Sequence, residues 1–115
     1  MEPGPPLSID EIARDGEVRL AVTGELDLAS APALLAHVER LEIDGASALG
    51  IDLAGVSFMD VAGMRVLLEA GRLAHEREAR FVIYNPRRIA SRVFALTAVD
   101  QQLKIAFDED DATAT

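Results

Sequence analysis

One carboxylate stands between an apolar segment and an apolar helical pattern in the stretch 58–70, FMDVAGMRVLLEA. Asp60 is the predicted N-cap of that helix, because its side chain can accept from backbone N–H groups that a first helical turn leaves unpaired. The same turn carries a partial positive charge and would locally stabilise a phosphate placed there. Gly63 is predicted to allow close backbone approach in this turn.

The remaining reactive side chains form no catalytic motif. His37 and His75 stand alone on predicted helices, and neither a Ser-His-Asp nor an HExxH spacing, a P-loop or a GxGxxG sequence occurs. The chain has no cysteine, which excludes disulfides, thiolate metal sites and cysteine nucleophiles. We therefore predict that the protein is not an enzyme and holds neither a cofactor nor a metal.

Composition limits the classes of partner. The 115 residues suit one domain, and the formal net charge of −9 repels phosphate-rich nucleic acid. No apolar run approaches the roughly 18 residues of a membrane helix, and the start MEPGPP lacks the features of a signal peptide. We expect a cytoplasmic protein with neither nucleic-acid binding nor membrane insertion.

Three segments are distinguished along the chain. Residues 1–6 are predicted to be a flexible leader, 7–107 a single domain and 108–115 an acidic tail. The tail is interpreted as solvated, with electrostatic guidance toward a basic partner as the alternative.

Hydrophobic periodicity predicts an α/β domain. Residues 7–24 alternate as a hairpin around the turn dipeptide Asp15-Gly16. A helix follows, capped by Ser30 and with Pro32 in its first turn. A short strand at 48–53 leads through a loop to a helix from Asp60 to about 77, and a brief strand ends before Pro86. A third helix is expected at 87–96, with Ile89, Val93 and Leu96 facing inward, and a last strand at 103–107. Such an order implies a mixed sheet with helices packed on it.

Three stretches in register carry a resemblance to a known family. They are GELDLASAPAL at 24–34, IDLAGVSFMDVAGMRVLLEA at 51–70 and RRIASRVFALTAVDQQLKI at 87–105. Together they resemble the STAS domain of bacterial anti-sigma factor antagonists over roughly residues 7–107. The resemblance implies a four- to five-stranded mixed sheet with helices packed mainly on one side.

The resemblance also implies a partner-switching function. Such antagonists capture an anti-sigma factor, usually a GHKL-type serine kinase, and thereby free a sigma factor for transcription. The kinase inactivates the antagonist by phosphorylating the serine that directly follows the aspartate of the strand–helix turn. That position matches Val61, which has no hydroxyl group, so this off-switch is predicted to be absent.

The expected contact with the partner surrounds the same turn. It comprises the helix start and the acidic side chains of the GELD segment, namely Asp60, Val61, Ala62, Gly63, Met64, Arg65, Glu25 and Asp27. Met64 is an adaptable apolar contact if it is exposed and core filler if it is buried. Ser57 is either a substitute phosphosite or the donor of a local backbone hydrogen bond. Four charged residues of this helix are predicted to form ion pairs on its solvent-exposed face, namely Arg65, Glu69, Arg72 and Glu76.

Two other functions stay open. The first is a STAS scaffold or accessory subunit, bound to an ABC-type ATPase of a transporter or to other STAS proteins of a stress-sensing complex. The second is a sensor that binds a nucleotide or lipid, for which the sequence offers no phosphate-cradling loop.

Overall fold

Five strands and two helices make up the fold of the described residues. The computed structural model describes residues 7–41, 48–88, 90, 92–93 and 105–106. The elements are β1 (Ser8–Arg14), β2 (Glu17–Leu26), α1 (Ala31–Arg40), β3 (Ala48–Met59), α2 (Val61–Glu76), β4 (Arg80–Tyr84) and β5 (Ile105–Ala106). The predicted leader and acidic tail lie outside the described residues.

The predicted hairpin is confirmed as β1 and β2. Asp15 and Gly16 have φ angles of 54° and 78°, so both central positions of the turn are left-handed, as a two-residue hairpin turn of the primed type requires. Arg14 pairs with Glu17 directly across the turn. Beyond it, the predicted alternation holds, because Val18, Leu20 and Val22 are all buried.

The sheet is mixed and has the strand order β1-β2-β3-β4-β5. β1 is antiparallel to β2, and the other three pairs are parallel. α1 and α2 contact each other, and α2 also packs on β3 and β4. The alternating residues of β2 and β3 that face the helices join one core cluster with both helices, as predicted for helices on one side; those from the strands are Val18, Leu20, Val22, Leu49, Ile51 and Leu53.

The third strand is longer than the sequence pattern predicts. We predicted a strand at 48–53 followed by a loop, but β3 continues to Met59. The extension pairs with the end of β2, with Gly55 opposite Thr23 and Met59 opposite Leu26. The glycine and serine of residues 54–59 are typical of a loop. They are nevertheless part of β3, and two shifts in the register between β2 and β3 interrupt the regular pairing there. The longer strand runs directly into α2.

The predicted third helix and last strand are described only in part. The backbone is helical at the described positions 88, 90, 92 and 93, where Ala90 is buried and Val93 packs against the core. Ile89 and Leu96, two residues predicted to face inward, lie outside the described residues. β5 contributes two residues, with Ile105 paired to Ile83.

The sheet face opposite the two helices carries a polar network across three strands. The Tyr84 hydroxyl donates to Glu17 Oε2 at 2.7 Å, and Arg19 Nε donates to Glu17 Oε1 at 2.9 Å. The Arg19 guanidinium also lies 3.6 Å from the centre of the Tyr84 ring, a cation–π contact. The ring crosses β3 above Gly50, where an added Cβ would lie 2.7 Å from Tyr84 Cε2. We call this side the open face.

Tyr84→Phe is expected to lower the free energy of unfolding by about 1 kcal/mol at neutral pH, because the bond to Glu17 is lost. Burial, followed by the hydrogen bond to Glu17, raises the Tyr84 pKa above its ordinary value of 10.0. The native state therefore keeps this phenol protonated better than the unfolded chain. The resulting stabilisation is complete below about pH 10 and is lost as the pH rises through the folded pKa.

Urea unfolding at a series of pH values checks this expectation. Tyr84 is the chain's only tyrosine, so no other phenol contributes to the difference between wild type and Tyr84→Phe. The wild type should lose more stability above about pH 10 than the variant does. Parallel pH profiles of the two proteins would contradict the assigned network.

Candidate functional site

The turn from β3 into α2 is organised by the Asp60 carboxylate. Asp60 has extended backbone angles, and its Oδ1 accepts from the backbone N–H of Gly63 at 3.0 Å, which confirms the predicted N-cap. Its Oδ2 accepts from the backbone N–H of Leu28 at 3.3 Å, and its own N–H donates to the Leu26 carbonyl at 3.3 Å. One side chain thus connects the start of α2 with the loop between β2 and α1.

The side chains of Asp27 and Ser30 hold that loop together. Asp27 Oδ1 accepts from the backbone N–H groups of Ala29 at 3.0 Å and Ser30 at 3.1 Å. The Ser30 hydroxyl makes no capping bond to α1; it donates to the Glu25 carbonyl at 2.6 Å and accepts from the Asp27 N–H at 3.0 Å. Ser30 therefore occupies the predicted N-cap position of α1, but its side chain makes no capping bond, because its hydroxyl is engaged within the loop. Pro32 lies in the first turn of α1, as predicted.

Three large apolar side chains stand exposed around Asp60. Leu28, bonded to Asp60 through its N–H, is 76% exposed, while Phe58 and Val61 are 41% and 46% exposed. We call Leu28, Phe58 and Val61 the front patch. The sequence indicates Val61 as a contact residue but does not indicate the other two. An apolar residue at position 28, directly after Asp27 in the loop before α1, was the available signal.

The predicted contact residues are divided between surface and core. Arg65 and Glu25 are exposed like Val61, and Asp60, Ala62 and Asp27 are half-buried. Met64 is only 5% exposed, so the core alternative is confirmed and its place at the centre of a contact surface is wrong. The helical period turns Met64 inward, together with Leu67 and with Leu68 at the margin of the core.

Gly63 is buried for a steric reason. A Cβ built on it would collide with the Leu26 carbonyl oxygen and would lie 2.9 Å from both Leu26 Cγ and Met59 Cγ. The first turn of α2 therefore packs directly on the backbone of β2, which confirms the predicted close approach.

The other polar residues that the sequence singled out near the site form hydrogen bonds or ion pairs within the protein. The Ser57 hydroxyl donates to the Gly24 carbonyl of β2 at 3.4 Å, a backbone hydrogen bond between strands and not the local one predicted; a phosphosite at Ser57 stays untested. On the solvent-exposed face of α2, Arg72 forms ion pairs with Glu69 and with Glu76. The bond from Arg72 lowers the pKa of Glu69.

The two histidines lie elsewhere. His37 Nε2 is 3.0 Å from Glu11 Oε1, and His75 is in the last turn of α2. Across the described part of the chain, no three His, Asp or Glu side chains are grouped to hold a metal ion. No helix among the described residues is long and apolar enough to cross a membrane.

Asp60→Ala is expected to lower the free energy of unfolding by about 1–2 kcal/mol, because both the α2 cap and the bond to Leu28 are lost. Asp60→Asn is the matched control, since asparagine caps helices about as well as aspartate. Urea unfolding of both variants measures the difference. Equal losses in the two variants would show that the charge of Asp60, and not its capping geometry, carries the stability.

Comparison with known proteins identifies a family for the whole domain. The family model described as "Mlab, STAS domain" matches residues 10–106. An anti-sigma-B factor antagonist of Listeria monocytogenes is 28% identical over 100 residues, covering 86% of this chain and 88% of that protein. One from Staphylococcus epidermidis is 23% identical over 99 residues, covering 86% and 92% of the two chains.

Solved structures agree with this assignment. The crystal structure of an anti-sigma factor antagonist from Mycobacterium paratuberculosis superimposes with a TM-score of 0.79 at 26% identity and covers 99% of this chain and 97% of its own. The unphosphorylated form of the antagonist SpoIIAA superimposes with a TM-score of 0.70 at 19% identity, over 92% of both chains, and supports the fold alone.

Proposed function

This chain belongs to the STAS-domain family, and on that premise we propose that it is a non-enzymatic anti-sigma factor antagonist that acts in the cytoplasm. It captures an anti-sigma factor of the GHKL-type serine kinase class and so frees a sigma factor for transcription. Binding occurs at the first turn of α2 and needs no cofactor.

The observation that carries this proposal is the exposed apolar surface at a capped helix start. Val61 is the first residue of α2 and is 46% exposed, directly after the Asp60 side chain that connects this helix start with the loop before α1. Exposed apolar side chains that are fixed on rigid elements are favourable centres for protein contacts. Within the front patch, Leu28 and Phe58 enlarge the area, while Glu25 and Arg65 supply a polar rim.

Val61 also defines how the contact is regulated. A serine at this position could take a phosphate, which adds up to about two negative charges beside Asp60 and would oppose docking. Valine cannot be phosphorylated and leaves the surface permanently uncharged. The protein is accordingly competent to bind at all times and is controlled by its abundance or by its partner.

The test is the affinity for a panel of GHKL-type anti-sigma kinases, with and without ATP, for wild type and Val61→Ser. Wild type should bind one kinase in both conditions and keep its intact mass. Val61→Ser should gain the mass of one phosphate and lose binding when ATP is present. A phosphate on the wild-type protein, or equal ATP sensitivity of both, would refute the missing off-switch.

A constitutive subunit interface is the second candidate, because a front patch that cannot be phosphorylated at Val61 also suits a permanent assembly. The partner would be the ABC-type ATPase of a transporter or another STAS protein of a stress-sensing complex. Affinity capture separates the candidates. Recovery of such a complex, with no binding to any kinase of the panel, would favour the subunit.

A further inference from the structure

One large apolar side chain is exposed far from the front patch. Ile12 on β1 is 48% exposed and pairs with Arg19 of β2. Arg19 precedes Leu26, at the end of β2, by seven residues, which corresponds to roughly 23 Å along the strand. Ile12 is therefore not part of the front patch, and its exposure needs a separate explanation.

β1 is an open edge of the sheet. It stands first in the strand order, and no strand of the described residues pairs with its outer side. All of its residues are exposed except the half-buried Ile9. A two-residue turn closes on a hydrogen-bonded pair, here Arg14 and Glu17. Along an antiparallel pair, hydrogen-bonded and non-hydrogen-bonded residue pairs alternate. The N–H and C=O groups of Ile9, Glu11 and Ala13 therefore point away from β2, toward the open edge, and can bond to another strand.

The sequence of β1 is complementary to itself in one antiparallel register. With a two-fold axis at Ile12, that residue faces its own copy, and Asp10 faces Arg14 on both sides of the axis. These side chains all lie on the open face, because they pair with Ala21, Arg19 and Glu17 of β2. The two copies of Ile12 form a non-hydrogen-bonded pair, the kind of pair in which the opposing side chains are closest to each other.

Neighbouring registers are less favourable. An axis at Glu11 would place two copies of that carboxylate opposite each other. An axis at Ala13 would place Glu11 opposite Asp15, two like charges. It would also place the apolar Ile12 opposite the charged Arg14. The register centred on Ile12 instead places Glu11 opposite Ala13 on the helical side of the sheet.

We propose that the outer edge of β1 is a homodimer interface, in which two copies of the chain pair antiparallel about Ile12 and join their sheets. The contact involves about five residues of each edge, so the dimer is weak, with a dissociation constant on the order of 10–100 µM. It leaves both front patches accessible, and one dimer can hold two partner molecules. This proposal does not depend on the proposed function.

Charge reversal tests the register directly. Asp10→Arg sets two arginines opposite each other at both charged positions, and Arg14→Asp sets two carboxylates there. Each variant alone should raise the dimer dissociation constant by about tenfold or more. An equimolar mixture of the two variants restores opposite charges at both positions, so it should form heterodimers of wild-type affinity.

Sedimentation equilibrium over a concentration series measures all of these species. Arg80→Asp is the matched control, since it makes the same charge change on the open face, at β4, away from the edge. It should dimerise like wild type, and restored heterodimers would show that both single variants are folded. Circular dichroism confirms the fold of each variant separately.

Three results would overturn the proposal. The first is a wild type that stays monomeric up to about 1 mM. The second is a dimer that both single variants leave unchanged, which would place the interface elsewhere. The third is a mixture of folded variants that stays monomeric, which would exclude the antiparallel register about Ile12.

Discussion

Gly63→Ala is expected to lower the free energy of unfolding by about 3 kcal/mol, among the largest effects of any single methyl group in this protein. The added Cβ would meet the backbone carbonyl of Leu26, and neither α2 nor β2 can move aside without disturbing the Asp60 bonds. A backbone atom cannot rotate away as a side chain can. The strain therefore remains in the native state.

Gly71→Ala is the matched control for this variant. It adds the same methyl group to the same helix, but the nearest atom is Phe81 Cδ2 at 3.0 Å, which belongs to a half-buried ring that can shift. Replacing a helical glycine by alanine also favours the helix by up to about 1 kcal/mol, so the net change should be within about 1 kcal/mol of zero. Urea unfolding of both variants gives the comparison. Similar losses would show that glycine is needed for helix packing in general, and not for the contact with Leu26.

Val61→Glu is expected to weaken partner binding by on the order of 100-fold while leaving stability unchanged or slightly increased. The new carboxylate would stand in the front patch beside Asp60 and would have to be desolvated on docking. In the free protein, the same charge lies in the first turn of α2 and interacts favourably with the helix dipole, by about 0.3–1 kcal/mol. Binding and stability should therefore change in opposite directions.

Val61→Gln separates charge from shape in this experiment. It has nearly the size of the glutamate variant and is neutral, so it should weaken binding much less than Val61→Glu does. Calorimetric titration with the captured partner and urea unfolding measure the two effects. A glutamate variant that binds as well as the glutamine variant would move the contact away from the front patch.

The sequence predicted the fold correctly wherever neighbouring residues determine the local structure. The turn at Asp15-Gly16, the alternation through Val22 and the capped helix after Asp60 all depend on neighbouring residues, and all are present in the structure. β3 was misjudged because residues 54–59 form a strand only through pairing with the end of β2. Composition alone does not contain that pairing.

The sequence by itself determined the α/β class, the family resemblance, the N-cap at Asp60 and the valine at position 61. Tertiary structure decided which side chains are exposed and which are engaged: it buried Met64, bonded the Ser30 hydroxyl to the Glu25 carbonyl, and exposed Leu28 and Phe58. It also left β1 as an open edge. The physical reason is that helix period and turn chemistry act between near neighbours, whereas exposure depends on which distant strand or loop packs against a residue.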